Sequence, residues 1–332
     1  MNTFAIVGAT GVVGEEMLKV LDKRKFPLKK LVLLASKRSA GKILTFRGKK
    51  IVVQELTEDS FRGVDMAIFS AGAGVSLKFA PIAAKASCVV IDNSSAFRMD
   101  KNVPLVVPEI NPEALRRHKG IIANPNCTTI ITLMALWPLH KKFGARRIIV
   151  SSYQAVSGTG VEAIRELEQQ VKQSVEGKPI TKEVYPHQIA FNVLPHVDVF
   201  LPNGYTKEEM KMENESRKIM SHPTLRASTT CVRVPVYRAH SVAVTAEFKR
   251  PITPAGARAV LRRAHGIEVV DDLENIVYPT PLAVSGKDNC EVGRIRKDLA
   301  FDNGLSFWVV GDQVLKGAAL NAVQIAEILI GK

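Results

Sequence analysis

The sequence predicts an α/β fold in two parts, a doubly wound parallel sheet first and a mixed sheet with helices after it. Three observations predict it. From Phe4 to Asn124, apolar stretches of strand length alternate with helical ones, the pattern of a parallel sheet covered on both faces. The first strand runs straight into glycines 8, 11 and 14 and then into a helix, the entry of a Rossmann-type dinucleotide-binding unit. Beyond residue 145 the strands are rich in β-branched residues and partly alternate, as in a mixed or antiparallel sheet with one covered face.

With 332 residues, 46% of them hydrophobic, the chain has core enough for two domains. No apolar run is long enough to span a bilayer. Phe4-Ala5-Ile6-Val7 reads as a first strand rather than a secretory signal. The four cysteines, Cys88, Cys127, Cys231 and Cys290, form no Cys-x-x-Cys pair. That argues against a zinc ribbon or a disulfide framework and for a reducing cytoplasm. The net charge is +14, but its basic pairs, such as Lys23-Arg24-Lys25, Lys49-Lys50 and Arg146-Arg147, are dispersed and lack interleaved aromatics. This reads as solvated surface with some steering of anions, not as a nucleic-acid face. His118, His140, His187, His196, His222 and His265 show no metal-ligand spacing, so no metal is expected.

In order, Phe4–Val7 is a strand, Gly8-Ala9-Thr10-Gly11-Val12-Val13-Gly14 a turn, and Glu15 to Leu21 a helix. Glycines there let the backbone approach a pyrophosphate seated on the helix N-terminus. The strand Leu31–Ala35 ends in Ser36-Lys37-Arg38-Ser39, where an enzyme using NAD usually offers a carboxylate to the ribose. A cation with hydroxyls suits a 2′-phosphate, so the cofactor expected is NADP(H). Residues 66–71, 88–92, 103–111 and 120–124 read as further strands, with a helix over 76–86. The strand at Asp92 opens into the polar loop Asn93-Ser94-Ser95-Ala96-Phe97-Arg98. Arg98 is placed to clamp an anion or to form a surface salt bridge.

Asn124-Pro125-Asn126 reads as a tight turn, and an apolar helix begins after it. Cys127 therefore falls at a helix N-terminus. Unpaired N–H groups and the helix dipole there draw a thiol toward thiolate and can hold an oxyanion. A buried, inert cysteine is the alternative. Further strands are read over 147–157, 229–236, 241–248 and 305–310, a helix after Gly158-Thr159-Gly160, and a closing apolar helix over 315–330.

Seven motifs in order, Gly8 to Gly14, Ser94 to Arg98, Asn124 to Thr128, Tyr153 to Gly160, Glu208 to Met212, Arg233 to Val236 and Arg238 to Ser241, resemble those of the aspartate-semialdehyde dehydrogenase family along essentially the whole chain. The resemblance implies NADPH-dependent reduction of L-aspartyl-4-phosphate to L-aspartate 4-semialdehyde with release of phosphate. It implies Cys127 as the nucleophile that carries a thioester and His240 as the acid/base. Gln154 and Asn126 would orient the thioester carbonyl. Arg233 would clamp the substrate α-carboxylate, Glu208 its ammonium, and Arg98 and Lys211 its phosphate. Ser157, Gly158 and Gln313 would line the nicotinamide side.

These types suit the chemistry. A thioester accepts hydride where a carboxylate would not. Two arginines, a lysine and a glutamate answer a substrate with two anionic groups and one cation. The residues alone leave open a core histidine at 240 and a surface ion pair between Glu208 and Lys211. A sibling reductase of N-acetyl-γ-glutamyl phosphate and a redox-inert sensor of NADP(H) are the alternative functions. The domains expected are 1–126 with 313–332 for the cofactor, and 127–312 for catalysis and dimerisation. A cytoplasmic homodimer, or a dimer of dimers, is expected.

Overall fold

The structure, a computed structural model, describes residues 3–331. The chain forms two compact units, one up to Asn126 together with the residues from Ala318, the other Cys127–Gly317.

The first unit contains β1 (Thr3–Val7), α1 (Val12–Lys23), β2 (Lys30–Ala35), the hairpin β3 (Ile43–Phe46) and β4 (Lys49–Val52), β5 (Gln54–Glu55), β6 (Met66–Phe69), α2 (Ala73–Lys85), β7 (Val89–Asp92) and β8 (Ile121–Ala123). Its main sheet has the order β5-β2-β1-β6-β7-β8, with all pairs parallel. The chain winds outward from β1 through β2, then resumes on the other side with β6. The winding therefore reverses at β1, where a ligand crevice opens in such sheets. The glycine turn follows β1 directly. Gly8 has φ +84, and a Cβ there would lie 2.4 Å from the Ser70 carbonyl oxygen; one on Gly14 would lie 2.2 Å from the Gly8 oxygen. Only glycine lets this turn close so tightly.

Residues 103–111, read as a strand, are not one. They make a single bridge, Leu105 to Ala123. Pro104 and Pro108 withhold two N–H groups from any ladder. The Asn111 side chain stands in for a neighbouring strand, accepting from the Val107 N–H and donating to the Leu105 carbonyl, both at 2.9 Å. The stretch reads as a strand because Val103, Leu105, Val106 and Val107 are all buried.

The second unit contains α3 (Cys127–Phe143), β9 (Ala145–Gln154), α4 (Val161–Val175), α5 (Lys207–Ile219), β10 (Arg226–Arg233), β11 (His240–Phe248), α6 (Pro254–Leu261), β12 (Ile267–Val269), α7 (Pro281–Val284), β13 (Cys290–Lys297) and β14 (Gly304–Gly311). Its sheet is mixed, in the order β10-β9-β11-β14-β13-β12. β9 pairs with β10 in parallel and with β11 antiparallel. Along β9, Ile148, Val150, Ser152 and Gln154 are buried while Ile149 and Tyr153 are exposed, the period-2 pattern of a sheet with one covered face. The strand ends at Gln154, and Val156–Gly158 is a single 3-10 turn rather than more strand.

The chain rejoins the first unit at Ala318, five residues later than the sequence suggested. Residues 313–317 stay with the second unit because Gln313 is bonded to Ala239 and Ser157, and Gly317 lies on Cys127. A π-helical turn, Leu315–Ala319, precedes the C-terminal helix α8, Leu320–Leu329. Asn321 on that helix is buried, and its amide donates to the Val106 carbonyl (3.0 Å) and to Asn124 Oδ1 (2.6 Å). Arg24 grips Glu327 through Nε (2.9 Å) and Nη2 (2.6 Å).

Asn321→Ala leaves two buried acceptors without that donor. It is expected to cost about 1–3 kcal/mol in urea unfolding. A change below about 0.5 kcal/mol would show that Asn321 does not anchor the returning helix.

Candidate active site

Strand register assembles the second unit's part of the site. Gln154, the last residue of β9, lies opposite Arg233, the last of β10. β11 runs the other way and begins with His240, one residue before the partner of Tyr153. Gln154, Arg233 and His240 thus cluster at one end of three adjacent strands. They are 2%, 6% and 0% exposed, so whatever they bind is largely withdrawn from water.

Ala155 joins two of them. Its N–H donates to His240 Nδ1 (3.0 Å) and its carbonyl accepts from Arg233 Nη1 (2.8 Å). A neutral imidazole that accepts at Nδ1 carries its proton on Nε2. Burial first, and the Arg233 guanidinium second, hold the His240 imidazole well below its ordinary pKa, so the neutral form prevails. His240 Nε2 and Arg233 Nε are buried without a hydrogen-bond partner. Gly158 leaves room beside them, since a Cβ there would lie 3.3 Å from Arg233 Nη1 and 3.4 Å from His240 Nε2.

A chain of polar contacts leads away from Gln154. Its amide nitrogen donates to Thr128 Oγ1 (2.9 Å) and to Glu208 Oε1 (3.1 Å). Facing a carboxylate, that atom of the amide must be nitrogen. Lys211, one turn along α5, donates to Glu208 Oε2 (2.7 Å) and to Asp198 Oδ2 (3.1 Å). Burial alone would lower the Lys211 pKa, but Glu208 and Asp198 outweigh it and raise it. Lys211 is therefore an ammonium.

Cys127 is the first residue of α3 and is half-buried. Gly317 lies against it, since a Cβ on Gly317 would be 2.8 Å from the Cys127 Cβ. The other cysteines are fully buried. Burial pushes the Cys88 and Cys231 thiols up to about 12, which leaves them inert. Gln313 accepts from the Ala239 N–H at 2.8 Å and donates to Ser157 Oγ. Ala239, with φ +70, turns the chain into β11 at a cost of about 1–2 kcal/mol.

In the first unit, Gly11 starts α1 with no side-chain cap, leaving the first-turn N–H groups to an anion. Thr10, Val12 and Val13 flank it, half-buried. Arg38 and Ser39 lie on a 3-10 turn that follows β2, the neighbour of β1. The Gly8 N–H donates to the Leu34 carbonyl (2.8 Å), tying the glycine turn to that strand end. Arg38 is exposed and Ser39 is buried. This arrangement fits a dinucleotide with an extra phosphate on its ribose. Arg98 is buried, and donates through Nε to the Asn124 carbonyl (2.9 Å) and through Nη2 to the Asn93 carbonyl (2.8 Å). Asn126, also buried, directly precedes Cys127.

Among the described residues, no group of His, Cys, Asp and Glu side chains forms a metal site. The sequence reading missed Thr128, Asp198, Gly317 and the Ala155 peptide. A glycine inside an apolar helical run is a signal of close approach that marks Gly317. Asp198, in an irregular loop, gives no such signal.

Comparison with known proteins now places the chain. Residues 3–118 match the family model described as semialdehyde dehydrogenase, NAD binding domain, and residues 136–316 match semialdehyde dehydrogenase, dimerisation domain. That defines the class as a two-domain semialdehyde dehydrogenase, an oxidoreductase. Aspartate-semialdehyde dehydrogenase of Aquifex aeolicus is 55% identical, over 98% of this chain and 97% of that protein. The Bacillus subtilis protein of the same name is 50% identical, over 98% and 96%. The crystal structure of aspartate semialdehyde dehydrogenase II from Vibrio cholerae, complexed with ASA, aligns with a TM-score of 0.97 at 48% identity, covering 99% of this chain and 98% of that one. The enzyme from Candida albicans, solved with NADP, aligns with a TM-score of 0.79 at 26% identity, covering 99% and 98%. The chain belongs to the aspartate-semialdehyde dehydrogenase family.

Gly317→Ala is expected to displace the Cys127 side chain and lower kcat by about 10²-fold. Binding of NADPH, measured by its fluorescence, should be retained. Unaltered turnover would show that the contact relaxes without moving the thiol.

Proposed function

We propose that the protein catalyses NADPH-dependent reduction of L-aspartyl-4-phosphate to L-aspartate 4-semialdehyde with release of phosphate. The observation that carries the reading is the buried Gln154–Glu208–Lys211 chain beside Arg233 and His240 at one sheet end. It offers a carboxylate to an ammonium, a lysine to phosphate and a guanidinium to a carboxylate, the charge set of an amino acid phosphorylated on its side chain. An acetylated amine carries no charge to meet Glu208, which disfavours the sibling reductase.

In this reading the Cys127 thiolate attacks the acyl carbon, the bond to phosphate breaks, and a thioester to Sγ forms. Lys211 and Arg98 take the departing phosphate, and Arg233 holds the α-carboxylate. Asn126 and Gln154 orient the thioester carbonyl. NADPH, when bound, supplies the hydride that reduces this carbonyl. Gly8, Thr10, Gly11, Val12, Val13 and Gly14 hold its pyrophosphate, Arg38 and Ser39 its 2′-phosphate, and Ser157, Gly158 and Gln313 its nicotinamide side. His240 points an Nε2–H at the oxygen that gains charge, and return of the bonding pair to Sγ then frees the aldehyde. A homodimer formed through the uncovered sheet face of Ile149, Tyr153 and Trp308 suits this unit, and a cytoplasmic setting suits a working thiol.

The test is NADP⁺ reduction with aspartate semialdehyde and phosphate. Cys127→Ala should abolish it while NADPH still binds. Wild type incubated with aspartyl phosphate alone should gain an acyl mass that the variant lacks. An adduct on any other residue would overturn the assignment. His240→Asn, which can still donate, should lose less than His240→Ala, whose loss is expected at about 10²–10⁴-fold. Equal losses would remove the donor role.

Arg38→Ala should raise the KM for NADPH and leave any weak NADH activity nearly unchanged. Equal loss with both cofactors would sink the 2′-phosphate reading.

A further inference from the structure

We propose that Asp198 is a positioning residue that acts through Lys211 to expel phosphate, its carboxylate competing with the bound anion for the lysine ammonium. The inference rests on the reading of Lys211 as a phosphate ligand.

Among the described residues, the Lys211 ammonium has two partners, Glu208 at 2.7 Å and Asp198 at 3.1 Å. The Lys211 and Glu208 side chains are 17% and 8% exposed, so charges here interact more strongly than on an open surface. The two carboxylates are not equivalent. Glu208 is fixed from its other oxygen by Gln154, which Thr128 holds in turn. It also has to meet the substrate ammonium, so it does not leave its place when phosphate comes or goes. Asp198 has no such tether beyond its own loop, and its side chain is 32% exposed. It can turn to water when phosphate takes Lys211 and return when phosphate departs.

The local backbone is shaped for this. Asp198 has φ +70, a left-handed conformation that aspartate tolerates because its short side chain can bond the local backbone. Its Oδ1 accepts from the Val199 N–H at 2.9 Å, which leaves Oδ2 for Lys211.

The chemistry gives the carboxylate a purpose. Phosphate leaves the acyl group when the thioester forms, while the substrate ammonium still engages Glu208, and a half-buried lysine that shares its one fixed carboxylate in this way would hold on to the anion. Asp198 supplies the replacement anion, so departure does not strand a desolvated cation. In the phosphorylating direction the same competition works against phosphate binding.

Asp198→Asn removes the charge, tolerates the left-handed backbone and can keep the bond to Val199. It is expected to lower the KM for phosphate, and the product-inhibition constant of phosphate in the reducing direction, each by about three- to tenfold. The KM for the semialdehyde should not follow. Asp198→Gly, which relieves the backbone and also lacks the carboxylate, should give the same split. On a Lys211→Ala background, Asp198→Asn should have no further effect on phosphate. A phosphate KM that rises or stays put in both Asp198 variants, while Lys211→Ala raises it, overturns the role of Asp198 alone. If Lys211→Ala leaves the phosphate KM unaltered, the reading of Lys211 falls and this inference falls with it.

Discussion

One peptide unit, Ala155, is the constraint on which the second unit's site depends. Its N–H fixes the His240 ring and its carbonyl fixes the Arg233 guanidinium, so an imidazole and a cation keep their mutual geometry without touching. No substitution at 155 other than proline, which lacks the N–H, removes either contact directly. The peptide is in turn held by the turn that follows, where Val156 and Ser157 donate to the Val236 and Tyr237 carbonyls. Above all it is held by register. A slip of one residue between β9 and β10 would send Gln154 or Arg233 to the opposite face. The core residues of β9, packed under α3, thereby set positions ten residues of strand can deliver and a free loop could not.

The arrangement carries stored cost. His240 Nε2 and Arg233 Nε are buried without partners, and each such group costs roughly 1–3 kcal/mol. Ala239 adds left-handed backbone immediately before β11. These costs sit next to the space that Gly158 leaves open. A ligand with acceptors there would satisfy both nitrogens, so binding recovers part of what folding leaves unsatisfied. The charge chain from Thr128 to Asp198 works the other way. Glu208 and Lys211 neutralise each other, and in the proposed reading a substrate bringing both an ammonium and a phosphate would exchange that ion pair for two others without leaving a charge bare.

Much of the fold was legible because its signals are local. The strand, glycines and helix of residues 4–21 need only steric reasoning, and the structure gives each glycine contact a distance. Cys127 at a helix start follows from Pro125 and the apolar run after it. Legibility failed where one side chain replaced regular structure. Asn111 makes residues 103–111 a packed irregular stretch that composition cannot tell from a strand. β13 went unread because Gly293, Arg294 and Arg296 interrupt its apolar pattern. In the site, the family resemblance pointed to Glu208, Lys211, Arg233 and His240, where the residue types alone left a core histidine and a surface ion pair open. The groups that hold them, the Ala155 peptide, Thr128 and Asp198, were silent because a backbone amide or a loop aspartate has no sequence signature.

The tautomer of His240 bears on how the thiol and the ring divide the work. With Nδ1 engaged by the Ala155 N–H, the resting ring has no lone pair to offer at Nε2. It can donate there, and to accept a second proton it would have to turn Nδ1–H against another N–H. Burial and Arg233 oppose the imidazolium as well. The ring is therefore better suited to hold an oxyanion than to strip a thiol. In the proposed reaction, ionisation of Cys127 then draws on its place as the first residue of α3, where the helix dipole favours negative charge. The proposed reaction is compatible with that division. The thiolate attacks, the oxygen gains charge as the carbon is reduced, and the same thiolate leaves. The carbonyl oxygen passes from one double bond to another without needing a proton of its own, only a donor held at the right place, which is what a neutral, buried His240 supplies.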